Sequence, residues 1–216
     1  MPHYPAGQKI WHITHHKNLG GILESGVLWS DAKRLELGLD CEVVGMSKIK
    51  ERRLTEIEVD CHAGTKVGDY VPFYFCPRSV MLYILYMGNN PDLHYRGGQG
   101  PIVHLQSDLG DVIDWADEQG VRWAFSDRNA GAYTASFYSR KSAFANLDWQ
   151  AIENRDFRDF QVKEGKQAEF LVFESFPWKL VEHIGVHSEE IARTVTNTIA
   201  ANRHGPPVTV RRDWYY

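Results

Sequence analysis

The sequence predicts an α+β domain built around a sheet core. Short apolar runs of strand length recur along the chain, clearest where Val71, Phe73 and Phe75 alternate with Tyr70, Pro72 and Tyr74. Short helical stretches with visible caps separate them, such as Val80 to Met87 between Ser79 and Gly88. The chain has 216 residues, 43% hydrophobic and 24% charged. No repeat, low-complexity run or linker divides it, so residues 1–216 are expected to form one domain.

In chain order, residues 10–13 read as a strand, and Thr14 is placed to cap a helix whose Leu19, Ile22 and Leu23 share one face. Gly26 suits the left-handed position after that helix. Residues 30–68 read as polar and irregular, with Lys48, Lys50, Arg52 and Arg53 clustered. Pro72 inside the 70–75 strand argues for an edge or a bulge. Residues 101–105 and 122–126 are strand candidates, and Asp127 to Gly131 reads as a turn, as does Gly97 to Gly100. A helical pair is expected over 139–155 and a charged loop over 156–166. Strands are expected over 168–173, 180–186 and 208–210. Ser188, with Glu189 and Glu190 behind it, opens a helix carrying Ile191, Val195 and Ile199.

Net charge is −4, which does not point to nucleic acid, although a local basic patch suffices to bind it. No apolar run approaches the length of a membrane span. The opening MPHYPAGQKI lacks the charged-then-apolar pattern of an export signal. Cys41, Cys61 and Cys76 are odd in number and irregular in spacing, and read as reduced thiols of a cytoplasmic protein.

No dinucleotide, P-loop or nucleophile-elbow motif is present, and the scattered histidines (His12, His15, His16, His62) lack metal-ligand spacing, so no metal is expected. Glu169 opens an apolar strand on the face of Leu171 and Phe173. A carboxylate on a core-facing position must be paired, neutralised or used. Arg52 and Arg53 offer adjacent guanidiniums suited to a phosphate or a carboxylate, or a solvated surface. His12 stands at a strand end before a helix, where loops meet ligands.

Several strings together resemble one family: Trp11-His12-Ile13-Thr14-His15 with Asn18-Leu19-Gly20-Gly21-Ile22-Leu23, Lys50-Glu51-Arg52-Arg53, the run Asp69 to Tyr83 containing VPFYFCPRS, Gln167-Ala168-Glu169-Phe170-Leu171-Val172, and the terminal Asp213-Trp214-Tyr215-Tyr216. They resemble the DarT toxins, which are DNA ADP-ribosyltransferases, from residue 11 to the C-terminus. The resemblance implies an ADP-ribosyltransferase-like split β core with flanking helices. It implies NAD⁺ as co-substrate without a metal, and transfer of ADP-ribose to a base of single-stranded DNA, most closely thymine at N3, with guanine as the relative's choice. It also implies a DarG-type macrodomain antitoxin as partner. A cytoplasmic monomer is expected.

Carried over by position, Glu169 falls on the catalytic glutamate and Arg53 on an essential arginine. His12, Ile13, Thr14, Gly21, Leu28 and Tyr74 fall on the cofactor side. Arg78, Met81, Asn129 and Lys163 fall where DNA is met. The segment 129–166 would be the substrate-reading loop, with Tyr133, Phe137 and Tyr138 able to stack on bases. Asn129 stands where the relatives carry histidine, which bears on base or context preference. RNA or protein ADP-ribosylation, NAD⁺ hydrolysis and a non-catalytic binding module are the competing functions.

Overall fold

The computed structural model describes residues 4–216. The first three residues of the N-terminal stretch discussed above lie outside it. The ten strands and eight α-helices run β1 (Lys9–His15), α1 (Leu19–Ser25), β2 (Val27–Trp29), α2 (Asp31–Glu36), α3 (Ser47–Thr55), β3 (Tyr70–Tyr74), α4 (Val80–Met87), β4 (Ile102–Asp108), α5 (Leu109–Gln119), β5 (Trp123–Ser126), β6 (Phe137–Tyr138), α6 (Trp149–Glu153), α7 (Phe160–Gly165), β7 (Glu169–Phe173), β8 (Ser175–Pro177), β9 (His183–Val186), α8 (Glu189–Ile199) and β10 (Val208–Val210). Eight strands form one mainly antiparallel sheet in the order β10-β9-β4-β1-β3-β7-β5-β6, and β2 pairs with β8 in a second. No helix among the described residues is long and apolar enough to cross a membrane.

The large sheet is two half-sheets that barely join. β1 pairs with β4 over its whole length, from Lys9↔Asp108 to His15↔Ile102. β3 pairs with β7 from Tyr70↔Phe173 to Tyr74↔Glu169. Between β1 and β3 the ladder registers only Trp11↔Tyr74. Pro72 explains the opening. It has no N–H to give, and its carbonyl points across the gap to accept from His12 Nδ1 at 2.8 Å. Pro72 is therefore neither on an outer edge nor at a bulge: it sits mid-sheet, where the two halves part.

Several local expectations change for identifiable reasons. Thr14 is a buried strand residue rather than a helix cap. Its Oγ1 accepts from Asn18 Nδ2 at 3.0 Å, and Asn18 precedes α1. Gly26 ends α1 at φ +73°, as expected. The irregular 30–68 segment holds α2, capped by Ser30, and α3. The 156–166 loop holds α7, capped by Asp159. α5 lies between the two expected strands, in a stretch for which the sequence reading assigns no element, although Asp108 caps it and Leu109, Val112, Ile113 and Ala116 bury one face. The 129–166 stretch is folded into β6, a 3-10 turn, α6 and α7 rather than forming one long loop.

The main core lies under the sheet, where Phe125 stacks on Phe144 at 4.1 Å and Phe73 meets Phe176 at 4.6 Å. A second cluster gathers Leu82, Leu85, Ile102, Trp214 and Tyr215, so the C-terminus is packed inside. The Tyr215 hydroxyl donates to Ile102 O at 2.7 Å, and Trp214 lies over Gly185 of β9. A methyl group at 185 would stand 2.2 Å from Trp214 Cζ3. Overpacking of this kind costs about 1–3 kcal/mol. Gly185→Ala should therefore lower the thermal midpoint by several degrees, and an unchanged melt would mean that Trp214 is not seated there.

His104 is fully buried beside Trp214 and Tyr215. Its Nε2–H donates to Pro77 O at 2.9 Å, and its buried Nδ1 has no partner among the described residues. Burial pushes its pKa down to about 4, against the Pro77 hydrogen bond, which acts to raise it. A folded pKa below the unfolded value of about 6.5 contributes stability at higher pH that is lost as pH falls from there through about 4. The full swing is roughly 3 kcal/mol. Stability against urea should fall between pH 7 and 5, and the slope should flatten in His104→Gln.

Candidate active site

The parting of β1 and β3 opens onto a cleft of about 990 Å³. His12, Ile13 and Thr14 of β1 line it, with Gly21 of α1, Leu28 of β2, Arg53 of α3, Tyr74 of β3, Met81 of α4, Asn129 and Glu169. Ten of the twelve residues expected from sequence thus converge on one cavity. Arg78 and Lys163 do not line it. Arg78 lies over the Tyr216 ring at 4.3 Å, and Lys163 is exposed on α7. Of the aromatic residues expected to stack on bases, Phe137 is buried and Tyr138 lies against Phe125. Only Tyr133 is exposed.

Glu169 anchors the cleft. As the first residue of β7 it faces Tyr74 across the ladder, and its side chain is 2% exposed. Arg53 grips it with both arms, Nη1 to Oε1 at 3.0 Å and Nη2 to Oε2 at 2.9 Å. The Ala130 backbone N–H adds a third donor to Oε1 at 3.0 Å. An ionised carboxylate offers about four acceptor positions. With Oε1 filled twice and Oε2 once, the free lone pair is on Oε2.

The groups around it hold fixed protonation states. Burial alone would lower the Arg53 pKa, but the Glu169 carboxylate outweighs it and raises it, so Arg53 stays a cation. Burial, followed by Glu169, raises the Tyr74 phenol, which stays protonated. Burial holds the His12 imidazole below its ordinary range, against the Pro72 hydrogen bond. Because a carbonyl only accepts, Nδ1 carries the proton to Pro72 O, and neutral His12 keeps a lone pair on Nε2. Burial would raise Asp31, but the Lys50 ammonium, 2.8 Å away, brings it below the usual carboxylate range.

The 127–131 turn after β5 is held against α3. The Asn129 carboxamide accepts from Gly131 N at 2.8 Å and donates to Gln167 Oε1 at 3.3 Å. A Cβ on Gly131 would stand 3.0 Å from Ile49 Cγ2 of α3. Ser126 Oγ accepts from Glu169 N at 3.2 Å. Sequence reasoning missed Ala130 and the Asp31–Lys50 pair. Ala130 acts through a backbone amide that any residue but proline supplies, so its identity carries no signal. Asp31 and Lys50 look like ordinary surface charges until α2 and α3 meet. Across the cleft mouth, the Asn18 amide pairs with the backbone of Glu42 (Oδ1 to N at 2.7 Å, Nδ2 to O at 3.0 Å), tying residues 39–46 to α1. No group of three or more His, Cys, Asp or Glu side chains is placed to hold a metal among the described residues. Cys41, Cys61 and Cys76 are free thiols.

The chain is similar to known proteins over nearly its whole length. The family model described as "ssDNA thymidine ADP-ribosyltransferase, DarT" matches residues 11–216. A "DNA ADP-ribosyl transferase" of Thermus sp. (strain 2.9) is 38% identical, covering 99% of this chain and 98% of its own. Solved with ADP-ribosylated ssDNA, the Thermus sp. 2.9 DarT superposes with a TM-score of 0.87 at 38% identity, covering 99% and 98% of the two chains. Solved with NAD⁺, it gives 0.79 at 36% identity, covering 99% and 100%. A more distant relative from Thermosipho africanus is 26% identical over 95% of this chain and 49% of its own length. It is a "DNA ADP-ribosyl transferase-DNA ADP-ribosyl glycohydrolase fusion protein". The split α+β architecture is that of these DarT structures.

Removing Arg53 strands a buried carboxylate, which costs about 3 kcal/mol or more. In urea unfolding at pH 7, Arg53→Ala should therefore be less stable than the Arg53→Ala/Glu169→Ala double variant. Strictly additive losses would show that the pair is not coupled.

Proposed function

The chain belongs to the DarT family of ssDNA thymidine ADP-ribosyltransferases, and on that basis we propose that it transfers ADP-ribose from NAD⁺ to N3 of thymine in single-stranded DNA, releasing nicotinamide. The observation that carries the reading is the buried Glu169 carboxylate, fixed by Arg53 and Ala130 with one acceptor position left over, at the end of a cleft that begins at neutral His12. NAD⁺ is the co-substrate, as in the Thermus complex.

The chemistry follows from that arrangement. Breaking the bond between C1′ and nicotinamide leaves a sugar with oxocarbenium character, and nicotinamide departs neutral. The free lone pair on Glu169 Oε2 accepts from one ribose hydroxyl, and the carboxylate stabilises the developing positive charge without reorganising. His12 Nε2 accepts from a hydroxyl of the adenosine ribose. Thymine N3 attacks C1′ and loses its proton to solvent. Arg53, which stays a cation, favours the anionic character that develops on thymine N3 electrostatically instead of acting as a base. Ile13, Thr14, Gly21, Leu28 and Tyr74 shape the cofactor side. Met81 and Asn129 border the acceptor base, while Arg78 and Lys163 lie outside the cavity on the path of the strand. The target base must be unpaired to enter such a cleft.

We assign the protein a toxin role in the cytoplasm, as a single-domain monomer. A DarG-type macrodomain partner reverses the mark, as the glycohydrolase fused to the Thermosipho relative suggests. Mass spectrometry of oligonucleotides differing at one base, incubated with NAD⁺, tests the reaction. The expected product is heavier by one ADP-ribose and forms only where thymine is present. Glu169→Gln should slow it at least ~100-fold. Adducts on guanine, RNA or protein, or nicotinamide release without an adduct, would replace the thymine assignment.

A further inference from the structure

The C-terminal Tyr216 is fixed in place. Its hydroxyl donates to Arg78 O at 2.9 Å, and its N–H donates to Gln99 Oε1 at 3.1 Å. Aromatic rings gather around it. Tyr86 lies nearly parallel at 6.1 Å and 26°, Tyr83 meets it edge-on at 5.1 Å, and Phe157 meets it edge-on at 6.1 Å. The Arg78 guanidinium covers the Tyr216 ring at 4.3 Å, with its Nε buried and unpartnered. This group is not core, because Tyr86 is 51% exposed and Met87 beside it 44%. Nor is Tyr86 held by its polar end, since its hydroxyl makes no hydrogen bond among the described residues.

We propose that this Tyr86–Tyr216 platform at α4 is a stacking subsite for a base of the single strand flanking the acceptor nucleotide, with Arg78 facing its phosphate. The proposal rests on the DNA reading above. Four lines converge on a nucleotide as the occupant. The exposed Tyr86 ring, backed by the fixed, half-buried Tyr216 and next to an arginine, offers a π-face together with a cation, the pair of features a nucleotide presents in complement. α4 also borders the active-site cleft through Met81 and Ile84, so the platform stands across the width of that helix, ~10 Å. The matching Thermus structure holds ADP-ribosylated ssDNA. Finally, a purely apolar partner would leave Arg78 without a counter-charge.

Equilibrium binding of a fluorescently labelled thymine-containing oligonucleotide, read by anisotropy, is measured together with adduct formation. Tyr86→Ala should weaken oligonucleotide binding and raise the oligonucleotide KM about tenfold, leaving kcat and the NAD⁺ KM unchanged. Tyr86→Trp should restore both. An abasic nucleotide scanned along the strand should weaken wild-type binding at one flanking position, and that position should lose its effect in Tyr86→Ala. Unchanged affinity in Tyr86→Ala, or an abasic penalty that persists at every position in the variant, overturns the subsite. The binding arm judges the platform independently of chemistry: wild type that binds the strand but forms no adduct defeats the proposed reaction alone.

Discussion

The fold and its site both depend on one missing hydrogen-bond donor. Pro72 stands in the middle of an eight-stranded sheet, where any other residue could give an N–H to the neighbouring strand. With β1 and β3 registered only at Trp11↔Tyr74, the sheet parts. The freed Pro72 carbonyl is satisfied by a side chain, His12, and not by the ladder. That substitution also sets the histidine's tautomer, so one backbone irregularity both opens the cleft and leaves a lone pair on His12 Nε2.

The far end of the cleft is organised by charge. Glu169 could not be this buried alone, because an unpaired carboxylate in the interior is costly. Arg53 and the Ala130 amide make its burial tolerable, and they do so from α3 and from the 127–131 turn, two segments far from β7 in sequence. The contacts that hold the carboxylate in the fold also leave it with a single open acceptor position.

The chain announced the scaffold better than its contacts. The 70–75 alternation, the Ser79 cap with Gly88, and the Ser188 helix were legible because period and capping are local. Thr14 was misread because a strand end and a helix cap share the same residue chemistry, and its hydroxyl turned to Asn18. α2 and α3 were hidden by polar composition: α3 buries no residue fully, and it earns its place through Arg53. The family strings pointed to His12, Arg53 and Glu169, which line one cleft. The placement of Arg78 outside the cleft could be read only once the C-terminal tyrosine was folded back onto it.

The third grip on Glu169 comes from main chain. Position 130 is already alanine, so an alanine scan passes over the residue whose main-chain N–H orients the carboxylate. Any residue that fits the buried site at 130 and keeps the backbone path supplies the same donor, with one exclusion. Proline at 130 would erase the donor itself, which makes it the substitution that homologous chains keeping this geometry should lack.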